Sequence, residues 1–409
     1  MVLWVKLRRL KIIPRGLGKT VWLLSFISLF TDLASEMLYP VLPVYLSGIG
    51  YSIVFIGVLE GLAEAMAGLS KSYFGTLSDR LGERKTFISA GYGLSAISKP
   101  LMIASTLPLW IFLTRLADRL GKGIRTGARD ALLSDAATPA TKGRIFGFHR
   151  SMDTAGAFAG PLIALLLLHF FPGNYALVFY AAAIPGIASL CITRFLREPV
   201  KEKTVQSAKK PAGFFTSLSY IGKSPLAYRK LTGVLLLFAL FNSADMFLLL
   251  RIREAGVSDS GVIGCYIFYN AVYALAAFPF GKLADRSGMV RMLAAGLIFY
   301  ALTYGGFALA TVSWVFPVLL FFYGLYAAAT EGIAKALISN LVPKGETARA
   351  IGTFSALQSI ALLIASSMAG ICWHYAGPKL TFLLPATTAL ICSVLLAKMI
   401  GIRNPEGMP

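Results

Sequence analysis

Asp32 and Glu36 stand four residues apart in an apolar run near 20–47. That spacing is close to one helical turn, so both carboxylates share a face. Glu60 and Glu64 repeat the spacing in the next run, near 51–77. Lys71 falls on the same stripe, because eleven residues turn through about 1100°, roughly 20° from three full circles. Lys99 lies in the third run, and the fourth holds Arg115, Asp118, Arg119, Lys122, Arg125, Arg129 and Asp130. Arg115, Arg119, Lys122 and Arg129 fit within a stripe of about 80°. Asp245, Arg251, Glu331 and Lys335 are sparser charges in later runs. Carboxylates removed from water can carry protons near neutral pH. Cations beside them can hold an anion or neutralise the acids. The chemistry implied is proton uptake and release together with binding of a charged solute. The same charges also fit a static ion-pair lattice. Glu36 or Asp32 is the first choice for the proton, with Glu64 next.

Bond-breaking chemistry finds little support. His149, His169 and His374 are scattered and read as interfacial residues. The four cysteines lie inside apolar runs without ligand spacing and read as small core residues. No glycine-rich phosphate loop with its Lys-Ser/Thr occurs, which argues against ATP as the driver. No metal, cofactor or enzymatic activity is expected.

The elements that must position these charges are membrane helices. The chain has 409 residues, of which 56% are hydrophobic and 14% charged. Soluble domains carry roughly 25% charged residues. Apolar runs of about 20 residues imply membrane spans, and their continuity favours helices over an alternating barrel. The expected fold is an all-α polytopic membrane protein with twelve transmembrane helices in two pseudo-symmetric six-helix bundles. The spans fall near 20–47, 51–77, 86–106, 108–136, 145–170, 175–196, 230–253, 258–283, 289–311, 313–341, 347–373 and 379–402.

The net charge of +20 sits mainly in loops on one side, so it marks topology rather than nucleic acid. Loops at 47–52, 105–109 and 170–175 contain no Lys or Arg, whereas the alternate loops are basic. The positive-inside rule then places both termini in the cytoplasm. The expected layout is a tail at 1–19, one bundle at 20–196, a linker at 197–229, a second bundle at 230–402 and a tail at 403–409. Phe214–Ile221 in the linker reads either as an amphipathic helix on the inner leaflet or as part of a solvated tether.

The two bundles look duplicated. The charged turn Gly75-Thr76-Leu77-Ser78-Asp79-Arg80-Leu81-Gly82-Glu83-Arg84-Lys85 recurs in shorter form at Gly281–Gly288, about 206 residues later. Ala131–Asp135 matches Ala336–Asn340, Arg144 matches Arg349 and Gly147 matches Gly352. These motifs resemble the major facilitator superfamily, whose loop between helices 2 and 3 follows G-x-L-a-D-r-x-G-r-k. Gly75, Asp79, Arg80, Gly82 and Arg84 fit that pattern, and Asp285 and Arg286 belong to its second copy. The resemblance implies a conformational gate there, with Asp79 pairing a basic loop residue and a helix N-terminus in the other bundle. Arg115 resembles the buried arginine of the family's helix 4, and Gly147, Gly156, Gly160 and Pro161 reproduce G-x8-G-x3-G-P of its antiporters. The resemblance also implies that helices 1, 4, 7 and 10 line the substrate path.

The expectation is therefore a secondary transporter of the proton-coupled efflux branch, working by alternating access. It would export a small, anionic or zwitterionic amphiphilic molecule. Proton coupling is assigned to Asp32, Glu36, Glu60, Glu64, Arg115 and Asp118. The substrate cavity is assigned to Arg119, Asp245, Glu331, Lys335, Tyr269 and Tyr323. The partners are the small-molecule substrate, protons and the lipid bilayer, with no nucleic acid, and the chain is expected as a monomer in the inner (cytoplasmic) membrane. A proton-coupled importer and a non-transporting sensor on the same fold remain alternatives.

Overall fold

The computed structural model describes residues 17–39, 41–51, 53–198 and 219–399. Regular structure among these residues is helical. The longer helices are α1 (Lys19–Leu38), α2 (Val41–Gly48), α3 (Ile53–Leu81), α4 (Lys85–Leu101), α5 (Pro108–Asp135), α6 (Lys142–Phe170), α7 (Tyr175–Thr193), α8 (Leu226–Ala239), α9 (Met246–Glu254), α10 (Asp259–Ser287), α11 (Met289–Leu309), α12 (Val315–Asn340) and α13 (Thr347–Lys398). Seven described stretches are long and apolar enough to cross a bilayer. The charges of α3 and α5 make those helices less apolar than their length would suggest.

Four expected spans take a different form. The first stops at Leu38 and resumes at Val41, with Pro40 in the sequence between them, a residue that has no N–H for the helical ladder. The seventh is interrupted between Ala239 and Met246. There the Ala244 N–H donates to Ser366 Oγ at 3.1 Å, so an unwound backbone group inside the bundle is still satisfied. The last two expected spans run on as α13, turning at Gly377, where φ is 78°. Glycine accepts that left-handed angle without a Cβ penalty.

The surface reverses that of a water-soluble protein. Leu275 is 78% exposed, and Leu363, Ile371 and Val394 also face outward. Lys99, Arg115, Asp118 and Asp130 are buried. Lipid can cover the apolar face, while the charges must find partners inside. His149 is also buried rather than interfacial, at 4% exposure. Cys392 is in the core as expected, but Cys191 is exposed.

Helix α6 packs between α1 and α10, and α3 packs against α5 and α13. Glycines set both crossings. A Cβ on Gly281 would lie 2.2 Å from Gly143 O, and one on Gly147 would lie 2.5 Å from Ala277 O. At the matching crossing, a Cβ on Gly75 would lie 2.5 Å from Ala348 O, and one on Gly352 would lie 2.3 Å from Lys71 O. These helices touch backbone to backbone, which a larger residue would forbid.

The described end of the linker docks onto α13. Tyr220 is buried and donates to Glu346 Oε2 at 2.8 Å. The Arg349 guanidinium lies 4.7 Å from its ring centroid. Burial and the Glu346 carboxylate push the Tyr220 hydroxyl pKa up. Residues 220–223 form one helical turn, and Tyr220 packs into protein rather than onto a leaflet. The rest of the Phe214–Ile221 expectation up to residue 218, most of the 1–19 tail and the 403–409 tail lie outside the described residues.

Alanine at Gly281 should cost about 1–3 kcal/mol, the usual range for overpacking. Alanine at Gly233, whose Cβ would meet nothing within 4 Å, should leave stability unchanged or slightly improved. Thermal unfolding of the two variants in detergent checks the contrast; equal melting temperatures would contradict the backbone-contact account.

Candidate functional site

The charges of α5 meet partners from four neighbouring helices, α1, α3, α4 and α12. Asp118 accepts from Lys99 Nζ at 2.9 Å, from Ser95 Oγ at 2.5 Å and from Arg115 Nη1 at 3.3 Å. Lys99 and Ser95 come from α4, one helical turn apart, so a single face answers the acid. Arg119 pairs with Glu64 of α3 at 3.1 Å. Arg129 pairs with Asp130 at 2.9 Å and reaches Ser28 Oγ of α1 at 3.1 Å. Arg125 lies 4.6 Å from the centroid of Tyr92, a cation–π contact.

Asp32 and Glu36 lie against the glycine face of α6. A Cβ on Gly156 would meet Leu29 O at 2.4 Å and Asp32 Cβ at 3.2 Å; one on Gly160 would meet Leu33 O at 2.8 Å and Glu36 Cβ at 2.9 Å. Pro161 follows Gly160 inside the same helix. The glycines thus bring α1 close enough for its two acids to face α6. Asp32 and Asp153 of α6 lie close enough to act on one another electrostatically. Two neighbouring carboxyls favour sharing a proton over both being ionised. Glu36 Oε2 is buried and has no hydrogen-bond partner among the described residues. Lys122, Arg119 and Arg115 lie within electrostatic reach of Glu36. Glu36, Glu64 and Arg119 therefore share one neighbourhood. Backbone at Glu60 belongs to α3, but its side chain lies outside the described residues.

The second set is dominated by tyrosines. Asp245 sits where the interrupted segment enters α9 and accepts from Tyr323 at 2.6 Å and Tyr269 at 3.1 Å. The Tyr269 and Tyr323 rings are 5.2 Å apart, and Tyr300, Tyr304 and Tyr326 pack around Tyr323. Glu331 and Lys335 of α12 reach elsewhere. Glu331 pairs with Arg150 of α6, and Lys335 pairs with Asp130 of α5 at 2.7 Å.

The repeated turns form a matched pair of clasps. Asp79 accepts from Arg349 N at 2.6 Å at the start of α13 and pairs with Arg84. Asp285 accepts from Gly143 N at 2.7 Å and Arg144 N at 2.8 Å at the start of α6. Each carboxylate therefore lies at a helix N-terminus, where free N–H groups and the helix dipole favour negative charge. Arg84 also donates to Ser78 Oγ at 2.9 Å, and Gly82 takes φ 67° in the turn. Arg80 and Arg286 are exposed, so Arg84 is the arginine of this turn that meets Asp79. Lys142 adds a hydrogen bond to Ser339 O at 2.7 Å, and Asn340 adds one to Pro139 O at 3.3 Å.

Asp153, Ser28 and the inward role of Arg150 are absent from the sequence-based site. Their signal was present: Asp153 interrupts an apolar run between Gly147 and Gly156, and Arg150 precedes it by three residues. That spacing allows an ion pair along one helix, and the two meet at 2.6 Å.

Known proteins resemble this chain over nearly its whole length. A model of the Major Facilitator Superfamily matches residues 24–271 and 252–408. An uncharacterized MFS-type transporter of Methanocaldococcus jannaschii is 33% identical over 388 residues, spanning 93% of this chain and 95% of the relative. The multi-drug resistance efflux pump PmrA of Streptococcus pneumoniae (TIGR4) is 22% identical, with 81% of this chain and 82% of the pump aligned. The human organic anion transporter MFSD10 has the same fold, with TM-score 0.79, 17% identity, and coverage of 94% of this chain and 100% of that one.

Asparagine at Asp79 or Asp285 should weaken its clasp by about 1 kcal/mol, the usual worth of a helix-end carboxylate. The readout is thiol accessibility of a cysteine placed at Thr347, buried at the start of α13, with the four native cysteines replaced. Each variant should label faster than the wild-type background and the double variant faster still. Unchanged labelling in both single variants would mean that the carboxylates do not hold this end closed.

Proposed function

The chain belongs to the Major Facilitator Superfamily, and on that premise we propose that it is a secondary transporter that exports a small molecule in exchange for protons. The observation carrying this reading is the packing of Asp32 and Glu36 against Gly156 and Gly160. An acidic pair able to take protons lies on α1, against the helix α6 whose glycines let the two approach. A change of protonation there acts directly on a backbone-to-backbone crossing, and so can bias a helix movement. The efflux function in the name of PmrA points the same way.

The helices group into twelve spans in this proposal. α1 with α2 forms the first, α8 with α9 the seventh, and α13 the last two, split at Gly377. Six spans lie on each side of the 197–229 linker. With the Asp79 and Asp285 clasps closed, the molecule is the outward-facing partner of an alternating-access cycle. Proton entry at Asp32 and Glu36 then favours opening toward the cytoplasm, and the acids are reset when the protons leave there. We assign it to the cytoplasmic membrane, as a monomer with both termini inside.

Side chains suggest the kind of cargo. Lys71 and Lys122 lie within electrostatic reach of each other and of Glu64. Their amino groups make no hydrogen bond or ion pair among the described residues, while Arg119 points to the 54%-exposed Glu64 side chain. Tyrosines around Asp245 provide amphipathic surface. An anionic or zwitterionic amphiphile would suit cations on one side and aromatic rings on the other.

Inside-out vesicles test direction and coupling together. Acid-inside vesicles should drive substrate entry into the lumen, with protons leaving. Glu36→Gln and Asp32→Asn should each lower that uptake more than about tenfold, as expected for loss of an essential proton-transfer group. Substrate moving in the same direction as the protons would replace antiport by import. Full activity in both variants would remove the two acids from coupling.

A further inference from the structure

Arg150 joins the acidic face of α1 and α6 to the other half of the fold. Its Nη1 binds Asp153 at 2.6 Å, its Nη2 binds Glu331 of α12, and its Nε binds the hydroxyl of Tyr273 of α10. The Arg150 guanidinium also lies 5.4 Å from the Tyr273 ring centroid. Asp153 in turn receives Ser28 Oγ and faces Asp32. One guanidinium thus touches a carboxylate on its own helix, a carboxylate across the interface and a tyrosine of a third helix. Arg129 holds Ser28 from α5. A proton on Asp153 would remove one of Arg150's two ionic anchors while leaving the other.

Resting on the proton-coupled reading, we propose that Arg150 transmits the protonation state of the Asp32–Asp153 pair to Glu331, linking proton binding to the closed interface between α6 and α12. With one proton shared by Asp32 and Asp153, Asp153 keeps enough negative charge to hold Arg150 in line with Glu331 and Tyr273. A second proton neutralises the pair and frees the arginine from α6. The Arg150–Glu331 contact then loses its fixed orientation, and the closed arrangement weakens. Because that arrangement binds the less protonated pair better, lower pH disfavours it by linkage.

Other charged groups bear on this site and set its background. Glu36 and Lys122 act on Asp32, while Arg129 acts on Asp153. His149 faces Arg129, Asp130, Asp153 and Lys335. Arg150 is the group that joins Asp153 directly to Glu331 across the interface. It is a positioning residue, since it need touch neither the substrate nor the transferred proton.

Spin labels at exposed Ala140 and Gly345, in the full chain with its four cysteines replaced and reconstituted in nanodiscs, test the link. Double electron–electron resonance reads the short-distance population between pH 8 and pH 5. That population should fall at least about fivefold on acidification, the lower range of typical coupling. Asp153→Asn should hold it low at both pH values. Arg150→Gln and Glu331→Gln should make it insensitive to pH, and Arg150→Lys should restore part of the response. A wild-type distribution that ignores pH, or a full response retained in Asp153→Asn and Arg150→Gln, overturns the inference. Parallel proton-flux measurements on wild-type proteoliposomes separate the two levels. Proton-coupled transport with either overturning result removes the Arg150 link alone, whereas transport without proton movement removes the proton-coupled reading and the inference resting on it.

Discussion

A charge placed among apolar helices must be answered by another charge, a hydrogen bond or water. An ionised group left at bilayer depth costs at least about 2.5–3.5 kcal/mol on insertion scales. Helix α5 carries seven such groups between residues 115 and 130. Much of the surrounding fold follows from answering them. α4 supplies Lys99 and Ser95, α3 supplies Glu64, α1 supplies Ser28 and α12 supplies Lys335. These contacts orient helices that would otherwise present similar apolar faces. They also concentrate electrostatic energy among these helices, so small rearrangements there have large consequences.

Glycine makes the complementary contribution. The Gly147–Gly281 and Gly75–Gly352 crossings bring backbones together on either side of the molecule. Each crossing ends with an aspartate accepting N–H groups at the start of the opposing helix. Packing and electrostatics therefore act at the same places: small residues permit the approach, and the carboxylate rewards it. Such contacts suit a reversible closure, because they need no large apolar area to separate. Exposing a large apolar area to water would instead oppose opening.

The two sides of the candidate site have different chemistry despite the repeated architecture. The earlier helices bring dense acids and bases, with Glu36 keeping one buried oxygen without a hydrogen-bond partner among the described residues. Later helices bring Asp245 under tyrosine hydroxyls, at a point where α8 and α9 are separated. A break inside a transmembrane bundle is acceptable when its backbone lines protein or water rather than lipid. Duplication thus accounts for the clasps and crossings, while divergence of side chains accounts for the asymmetric site.

The sequence by itself determined the helical membrane class, the repeat and the family, because hydropathy and the Gly75–Lys85 turn are local features. It also determined which residues at Asp32, Glu36, Arg115 and Asp79 carry chemical possibilities, since helical spacing assigns each to a face. Partner choice belonged to tertiary structure. Glu331 and Lys335 share a helix, yet one meets Arg150 and the other Asp130. Asp153 meets Asp32 only because Gly156 and Gly160 let α1 approach α6. The helix interruptions between Leu38 and Val41 and between Ala239 and Met246 were likewise hidden within continuous apolar runs. Periodicity records the direction of a side chain about its own axis. Which helix arrives opposite, and how closely, depends on packing between segments far apart in sequence.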